Sequence, residues 1–181
     1  MVRAAIVGII LTMMINLHDA LYRNTERAAL EQNINGPAQV ISADLKLAGY
    51  GKSTSKIFDV ADTSKMIFHA DTDNDSTAET IEYYTGPPFT GTNHRVLYRI
   101  INNGTPFEIA RDVIRFRLRY YDVNGNKFNI PPALSSVSGI KSIYVLLIIE
   151  SANPMKSLNV GSSESQPLHV TWERHFFPQN L

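Results

Sequence analysis

The change of periodicity along the chain constrains its fold more than any other feature of the sequence. An apolar segment at residues 4–15, AAIVGIILTMMI, continues into a helical pattern that ends near residue 50. The later apolar runs are short and mostly alternate with polar residues, which is the period of a β-strand. This order favours an α+β fold, in which a long N-terminal hydrophobic helix packs on an antiparallel β-sheet. We expect a helical region at residues 1–50 and a β-rich head domain at residues 51–181.

The second half of the expected helix is amphipathic. Apolar residues recur on one face at steps of four and three: Ile34, Ala38, Ile41, Leu45 and Ala48. Polar residues are expected on the opposite face: Gln39, Ser42, Asp44 and Lys46. We predict a kink or a short unwound stretch near residues 35–37, because Pro37 lacks a backbone donor and Gly36 loosens the turn. Gly49 and Gly51 should end the helix.

The apolar segment at residues 4–15 favours lipid or other helices as its environment. Its twelve residues, rising about 1.5 Å each, are too few to cross a hydrocarbon core of about 30 Å. A cleaved signal peptide is one alternative, although helix formers of mixed charge follow the segment where small residues would mark a cleavage site. A buried helix of a soluble domain is another.

Six later segments are predicted strands: residues 65–70, 80–84, 95–101, 113–121, 140–149 and 168–176. The first two should form a hairpin, and the fifth should lie at the centre of the sheet. The side chains expected to face the core include Met66, Phe68, Ala70, Val96, Tyr98, Ile100, Ile114, Phe116, Leu118 and Tyr120. Arg115, Arg117 and Arg119 should then face solvent. Residues 151–167 have the composition of a mobile loop.

Composition and motifs argue against an enzyme. The chain has no cysteine, which excludes disulfides, thiol catalysis and cysteine-ligated zinc. Its five histidines are scattered, and it has no phosphate loop, GxSxG elbow or HExxH motif. We therefore assign no catalytic residue, no cofactor and no metal site. The formal net charge is zero, so nucleic acid is not expected as a partner, and the three arginines are more simply explained by solvent or by acidic neighbouring subunits.

One acidic stretch resembles a calcium loop in its spacing. Oxygen-bearing side chains occupy offsets 1, 3, 5, 7, 9 and 12: Asp71, Asp73, Asp75, Thr77, Glu79 and Glu82. Ser76 stands where the sharp turn requires glycine, and Glu82 belongs to a predicted strand. A polar hairpin turn with solvated carboxylates explains the same residues, so calcium binding at residues 71–75 stays open.

Several short motifs occur in a characteristic order. They are DLKLAGYG at residues 44–51, ADTDND and ETIEYY within residues 70–84, LYR at residues 97–99, YYDVNG at residues 120–125 and PQNL at residues 178–181. With the N-terminal helix, this series resembles minor type IV pilins of the PilW kind and the related J-type minor pseudopilins of type II secretion. The resemblance covers nearly the whole chain.

The resemblance implies a structural subunit of a bacterial filament. Such a subunit is anchored in the inner membrane by its helix with the head in the periplasm, is trimmed and N-methylated by a prepilin peptidase, and packs through its helix against other subunits at or near the filament tip. The basic leader and the Gly-Phe-Thr-Leu-Ile-Glu-like junction of the family do not precede Ala4. We expect Met1 to be an internal start or a truncation boundary, with roughly 10 apolar residues upstream. The alternative is a calcium-stabilised secreted or periplasmic binding or adhesion domain.

Overall fold

The described part of the chain contains one long helix and seven strands. A computed structural model describes residues 2–51, 57–129, 139–151, 167–178 and 180, without the side chains of residues 2–5. The helix α1 spans Val2–Lys46. The strands are β1 (Phe58–Ala61), β2 (Lys65–Ala70), β3 (Glu79–Thr85), β4 (Arg95–Ile101), β5 (Phe107–Tyr121), β6 (Ser142–Glu150) and β7 (His169–Phe176). The α+β fold expected from the sequence is confirmed, since the helix packs on an antiparallel sheet.

The sheet is a meander in which the spatial order of the strands, β1 to β7, is their order in the chain. It curls, so that the β1–β2 turn reaches the second half of β5. There the Leu118 amide donates to the Thr63 carbonyl at 2.7 Å, and the Tyr120 hydroxyl donates to the Asp62 carbonyl at 3.1 Å. β4 leaves this part of the β5 edge free, because its pairing with β5 ends at Val113.

α1 covers the inner side of β5, β6 and β7. The predicted apolar stripe is confirmed, since its residues are at most 5% exposed: Ile34, Ala38, Ile41, Leu45 and Ala48. Most of the stripe joins a single core cluster that includes residues from all seven strands. The helix ends as expected, with Gly49 and Gly51 at φ angles of 83° and 75°, which L side chains rarely adopt.

Two expectations about α1 are wrong. Ser42 and Asp44 are buried instead of lying on a solvated face. The Ser42 hydroxyl donates to the Ala38 carbonyl at 2.6 Å, which satisfies it within the helix. The helix also runs without interruption through residues 35–37, so the expected unwound stretch does not occur. Pro37 removes one helical hydrogen bond, but it is itself buried, and packing on the sheet holds the backbone helical.

Of the β4 residues expected to face inward, Val96 is buried, whereas Tyr98 and Ile100 are only half-buried, so the predicted face is largely wrong. Leu97 is fully buried and Arg99 reaches the helix, whereas Tyr98 stacks on Tyr84 on the outer side with ring centroids 5.3 Å apart. The face follows from the regular pairing of β4 with β3, which places Arg99 opposite Tyr83, a fully buried residue. Directly paired residues share a face of the sheet, so Leu97 and Arg99 point inward and Tyr98 points outward.

The other strand predictions are largely confirmed, except that Val113 and not Ile114 faces the core, because the pairing of β5 with β6 shifts between Val113 and Arg115. β2 and β3 form the expected hairpin, and the arginines of β5 alternate with buried residues. β6 lies next to the edge strand β7 and not at the centre of the sheet. β1 and the first part of β5, residues 107–112, were not predicted. Most of the expected loop at residues 151–167 lies outside the described residues.

Candidate functional site: an exposed apolar helix segment

The first half of α1 exposes a large apolar surface. Ten large apolar side chains are between 48% and 66% exposed: Ile6, Val7, Ile9, Ile10, Leu11, Met13, Met14, Leu17, Leu21 and Tyr22. We call residues 6–22 the apolar helix segment. Because these positions follow one another closely, apolar side chains project from every face of the helix. A soluble monomer rarely carries a contiguous patch of this kind, so the segment is suited to contact with lipid or with other helices.

The first part of this segment has almost no polar groups. Between Ile6 and Ile15 the only polar side chain is Thr12, and its hydroxyl donates to the Gly8 carbonyl at 2.9 Å. Polar groups in hydrocarbon need such internal partners because no water is available. The helix from Ile6 is long and apolar enough to cross a membrane, with a mean hydropathy of 1.2 over an 18-residue window of which 6% is buried. The apolar surface therefore extends beyond the uninterrupted run at residues 4–15.

The other end of α1 is held on the head by a buried ion pair. Arg99 donates two hydrogen bonds to the Asp44 carboxylate, from Nε to Oδ2 at 2.7 Å and from Nη2 to Oδ1 at 2.9 Å. The Tyr83 hydroxyl donates to Asp44 Oδ2 at 2.5 Å. Burial and the negative charge of Asp44 raise the pKa of the Tyr83 hydroxyl, so it stays a donor. We call these residues the Asp44 cluster; its bidentate geometry fixes both position and orientation.

The motifs behind the family resemblance meet around this cluster. Asp44, Tyr83 and Arg99 come from three of them, on α1, β3 and β4. The Asp71 amide, from the acidic motif, donates to the Tyr50 carbonyl at 3.0 Å, just beyond the helix. These motifs therefore join the helix to the sheet. The sequence did not predict the cluster, because the pattern placed Asp44 on a solvated face.

The β2–β3 loop gathers four carboxylates whose ligand oxygens lie within 4.8 Å of one another: Asp71, Asp73, Asp75 and Glu79. The last position of the calcium-loop spacing does not join them. Glu82 lies in β3, and its carboxylate pairs with Lys65 Nζ at 2.8 Å. Of the five acidic residues in the calcium-loop spacing, four therefore lie close together, and the fifth, Glu82, lies apart from them.

All four of these carboxylates accept hydrogen bonds from backbone amides of the loop itself. Asp71 accepts hydrogen bonds from the Asn74 amide at 2.6 Å and the Ser76 amide at 2.9 Å. Glu79 accepts from the Thr72 amide at 2.7 Å. Asn74 and Ser76 have φ angles of 63° and 73°, so both adopt the left-handed conformation common in tight turns. These hydrogen bonds are internal to the loop and are typical of a polar turn stabilised by its own side chains.

A cleft of about 500 Å³ lies between α1 and the adjoining ends of β5 and β6. At its border, His94 Nδ1 is 3.1 Å from Asp112 Oδ1 and His94 Nε2 is 2.9 Å from Glu150 Oε2. Partial burial would lower the pKa of His94, but hydrogen bonds and charge from Glu150 and Asp112 together outweigh it and raise the pKa above its usual value. Both ring nitrogens are occupied by carboxylates, so neither is free to exchange a proton with a substrate. No local pattern in the sequence indicates this cluster, because its members lie far apart in the chain.

The remaining candidates do not converge on a site. His169 and His175 share the outer face of β7, and His175 Nε2 is 2.9 Å from Ser142 Oγ. The arginines of β5 face outward as predicted: Arg115 and Arg117 are exposed, and Arg119 is half-buried. Among the described residues, the largest unsatisfied surface is thus the apolar helix segment.

No protein-family model matches the chain, and no curated protein is significantly similar to it. The resemblance to pilins and pseudopilins remains an expectation based on the short motifs given above. The structural support for a function therefore comes from the geometry of the helix and of its junction with the head.

Proposed function

We propose that this protein is a structural minor subunit, a pilin or pseudopilin, of a type IV pilus or a type II secretion filament. Before assembly its helix is inserted in the bacterial inner membrane with the head in the periplasm. In the filament the helix packs against those of neighbouring subunits, at or near the tip. The observation that supports this is one continuous helix with two environments: ten large apolar side chains are exposed between Ile6 and Tyr22, and an apolar stripe is buried against the sheet from Leu30 onward.

The same helix surface suits both the membrane stage and the filament stage. In the membrane the apolar segment contacts acyl chains, and in a filament it contacts the apolar side chains of neighbouring helices. Because the segment stays out of water in both states, the transfer exposes little net apolar area. The Asp44 cluster supports the second stage, since it holds the head in a fixed orientation on the helix and regular packing needs that rigidity.

Membrane retention of the full chain tests the proposal. Ile10→Asp places a charge in the apolar helix segment, where a charge near the centre of a membrane helix costs about 3 kcal/mol. Thr25→Asp places the same charge on an exposed position closer to the head. We expect the wild-type chain and Thr25→Asp to need detergent for extraction from membranes, and Ile10→Asp to be released by salt or lost. A wild-type chain that stays soluble without detergent would contradict the proposal.

Gene deletion separates the two kinds of filament. Loss of exported enzymes with intact surface fibres indicates a pseudopilin of type II secretion. Loss of surface fibres, adhesion or twitching with intact export indicates a minor pilin.

A calcium-stabilised secreted or periplasmic binding domain is the second candidate. The observation that favours it is the group of four carboxylates within 4.8 Å in the β2–β3 loop. If this candidate is correct, a chelator lowers the melting temperature of the protein, and the protein keeps its function when the apolar helix segment is removed. The filament proposal requires neither.

A further inference from the structure

The outer face of β5 carries a row of three arginines without charged partners. Arg115 and Arg117 are exposed and Arg119 is half-buried, at alternate positions of the strand. In the part of the chain that the structure describes, none of the three forms an ion pair. Other exposed arginines do find acidic partners, as Arg111 does with Glu108. The row is therefore a local excess of positive charge on a chain whose formal net charge is zero.

Arg119 lies against an aromatic ring. Its guanidinium is 5.4 Å from the centroid of the Tyr144 ring, within the range of a cation–π contact. Its Nε is buried and has no hydrogen-bond partner. Among the described residues no carboxylate forms an ion pair with this guanidinium, so its charge is available to a carboxylate of a partner.

The neighbouring row, on β6, is apolar although it faces outward. Tyr144, Leu146 and Ile148 pair across the ladder with the three arginines and are half-buried. An aromatic group continues this face at the end of β7, where His175 stacks on Phe177 with centroids 4.6 Å apart and Phe177 is 70% exposed. Arginine and aromatic side chains are the residues most enriched in protein–protein interfaces. The face has the composition of an interaction surface.

The shape of the charged row indicates the chemistry of its partner. Side chains on one face of a strand repeat about every 6.8 Å, so the three guanidinium groups span roughly 14 Å in a line. An extended peptide with acidic residues at alternate positions has the same repeat. The positive row is only one strand wide, because Glu173 lies beyond Leu146 on β7. A narrow row suits a single peptide strand better than a broad polyanion such as duplex nucleic acid.

We propose that the outer face of β5 and β6 binds an extended acidic segment of a partner protein. Arg115, Arg117 and Arg119 pair with alternate carboxylates, while Leu146 and Ile148 contact the apolar atoms of the segment. The inference goes beyond the proposed function, because it concerns the head and does not involve the apolar helix segment. If the chain is a filament subunit, the partner is a neighbouring subunit.

The test measures binding of a labelled peptide of alternating Glu and Ser to the full chain in detergent micelles, by fluorescence anisotropy at low salt. The variant Arg115→Gln/Arg117→Gln removes two charges from the row. The control Arg23→Gln/Arg27→Gln removes two charges from exposed positions of α1. We expect the wild-type chain and the control to bind equally, the β5 variant to bind at least tenfold more weakly, and added salt to weaken the wild-type interaction.

Four results would overturn the inference: no binding by the wild-type chain, equal weakening in both variants, tighter binding of a single-stranded oligonucleotide than of the acidic peptide, or binding of a peptide with the opposite charge. A peptide of alternating Lys and Ser must not bind, since binding would show that charge sign is irrelevant. Failure here leaves the membrane-retention test unaffected, because that test depends on the helix alone.

Discussion

Asp44 determines how the helix meets the head. Its side chain is 7% exposed, and its charge is compensated by the Arg99 guanidinium and the Tyr83 hydroxyl. Removing both members of a buried ion pair is often tolerated, whereas removing one leaves a buried charge without compensation. The Asp44 cluster is thus a strong test of whether helix and head form one rigid unit.

We predict that Arg99→Leu lowers the free energy of unfolding by about 3 kcal/mol, because Asp44 then stays buried without its counter-charge. The double variant Asp44→Ala/Arg99→Leu should lose less than Arg99→Leu alone. Urea unfolding of the full chain in detergent micelles, followed by the fluorescence of Trp172, measures both. Arg27→Leu serves as the control, since its pair with Glu31 is on the surface and is expected to contribute less than about 0.5 kcal/mol. A double variant less stable than the single one would contradict this account of the cluster.

At the scale of single residues, the sequence predicted burial better than polar partners. Ile41 and Leu45 were expected in the core and are there, because helical periodicity is a local property. The partner of Asp44, Arg99, lies 55 residues away, and no local pattern encodes that distance. Asp44 also borders the apolar stripe, since Ile41 lies three residues before it on the same side of the helix, so a small rotation of the helix decides whether it is buried.

Among the elements, β5 shows the clearest departure from regular structure. It has a bulge before Val113, and Asp112 in that bulge has a φ angle of 54°, a conformation that Asp tolerates better than most residues. His94, just before β4, contacts Asp112 and also Glu150 at the end of β6. One histidine therefore connects three neighbouring strands at the sheet end that borders the cleft.

We predict that this histidine contributes more stability at acid pH. The pKa of His94 is raised in the folded protein, so its contribution is fully present below the unfolded pKa of about 6.5 and is lost as pH rises through the folded pKa. The difference in unfolding free energy between wild type and His94→Gln should be larger at pH 5.5 than at pH 8.5. Thermal or urea unfolding at the two pH values measures it, with His169→Gln, an exposed position on the outer face of β7, as the control. An equal difference at both pH values would show that the two carboxylates do not hold a protonated ring.

The length and regularity of each element decided how well the sequence predicted it. The helix and the strands with clear alternation were found because many residues repeat the same period. β1 has only four residues, too few for a period to appear. The β4 faces were exchanged because the inward face carries the charged Arg99, whose distant partner Asp44 no local pattern indicates, while the outward face carries the apolar Tyr98 and Ile100.

For the molecule as a whole, the central claim is that the first half of α1 functions only when something covers it. Met14 in the apolar helix segment and Val123 in the β5–β6 connection are 64% and 77% exposed. In an isolated chain the two positions would therefore be similarly accessible to a reagent. In a membrane or a filament, lipid or neighbouring helices would cover Met14 and leave Val123 in water.

The most direct measurement is the labelling rate of single cysteines at these two positions in native membranes. The chain has no other cysteine, so Met14→Cys and Val123→Cys each report one site. We predict that a membrane-impermeant charged maleimide labels Met14→Cys at least tenfold more slowly than Val123→Cys after the outer membrane is opened, and that denaturation removes the difference. Equal labelling rates in native membranes would show that the apolar helix segment faces water, and would contradict the account.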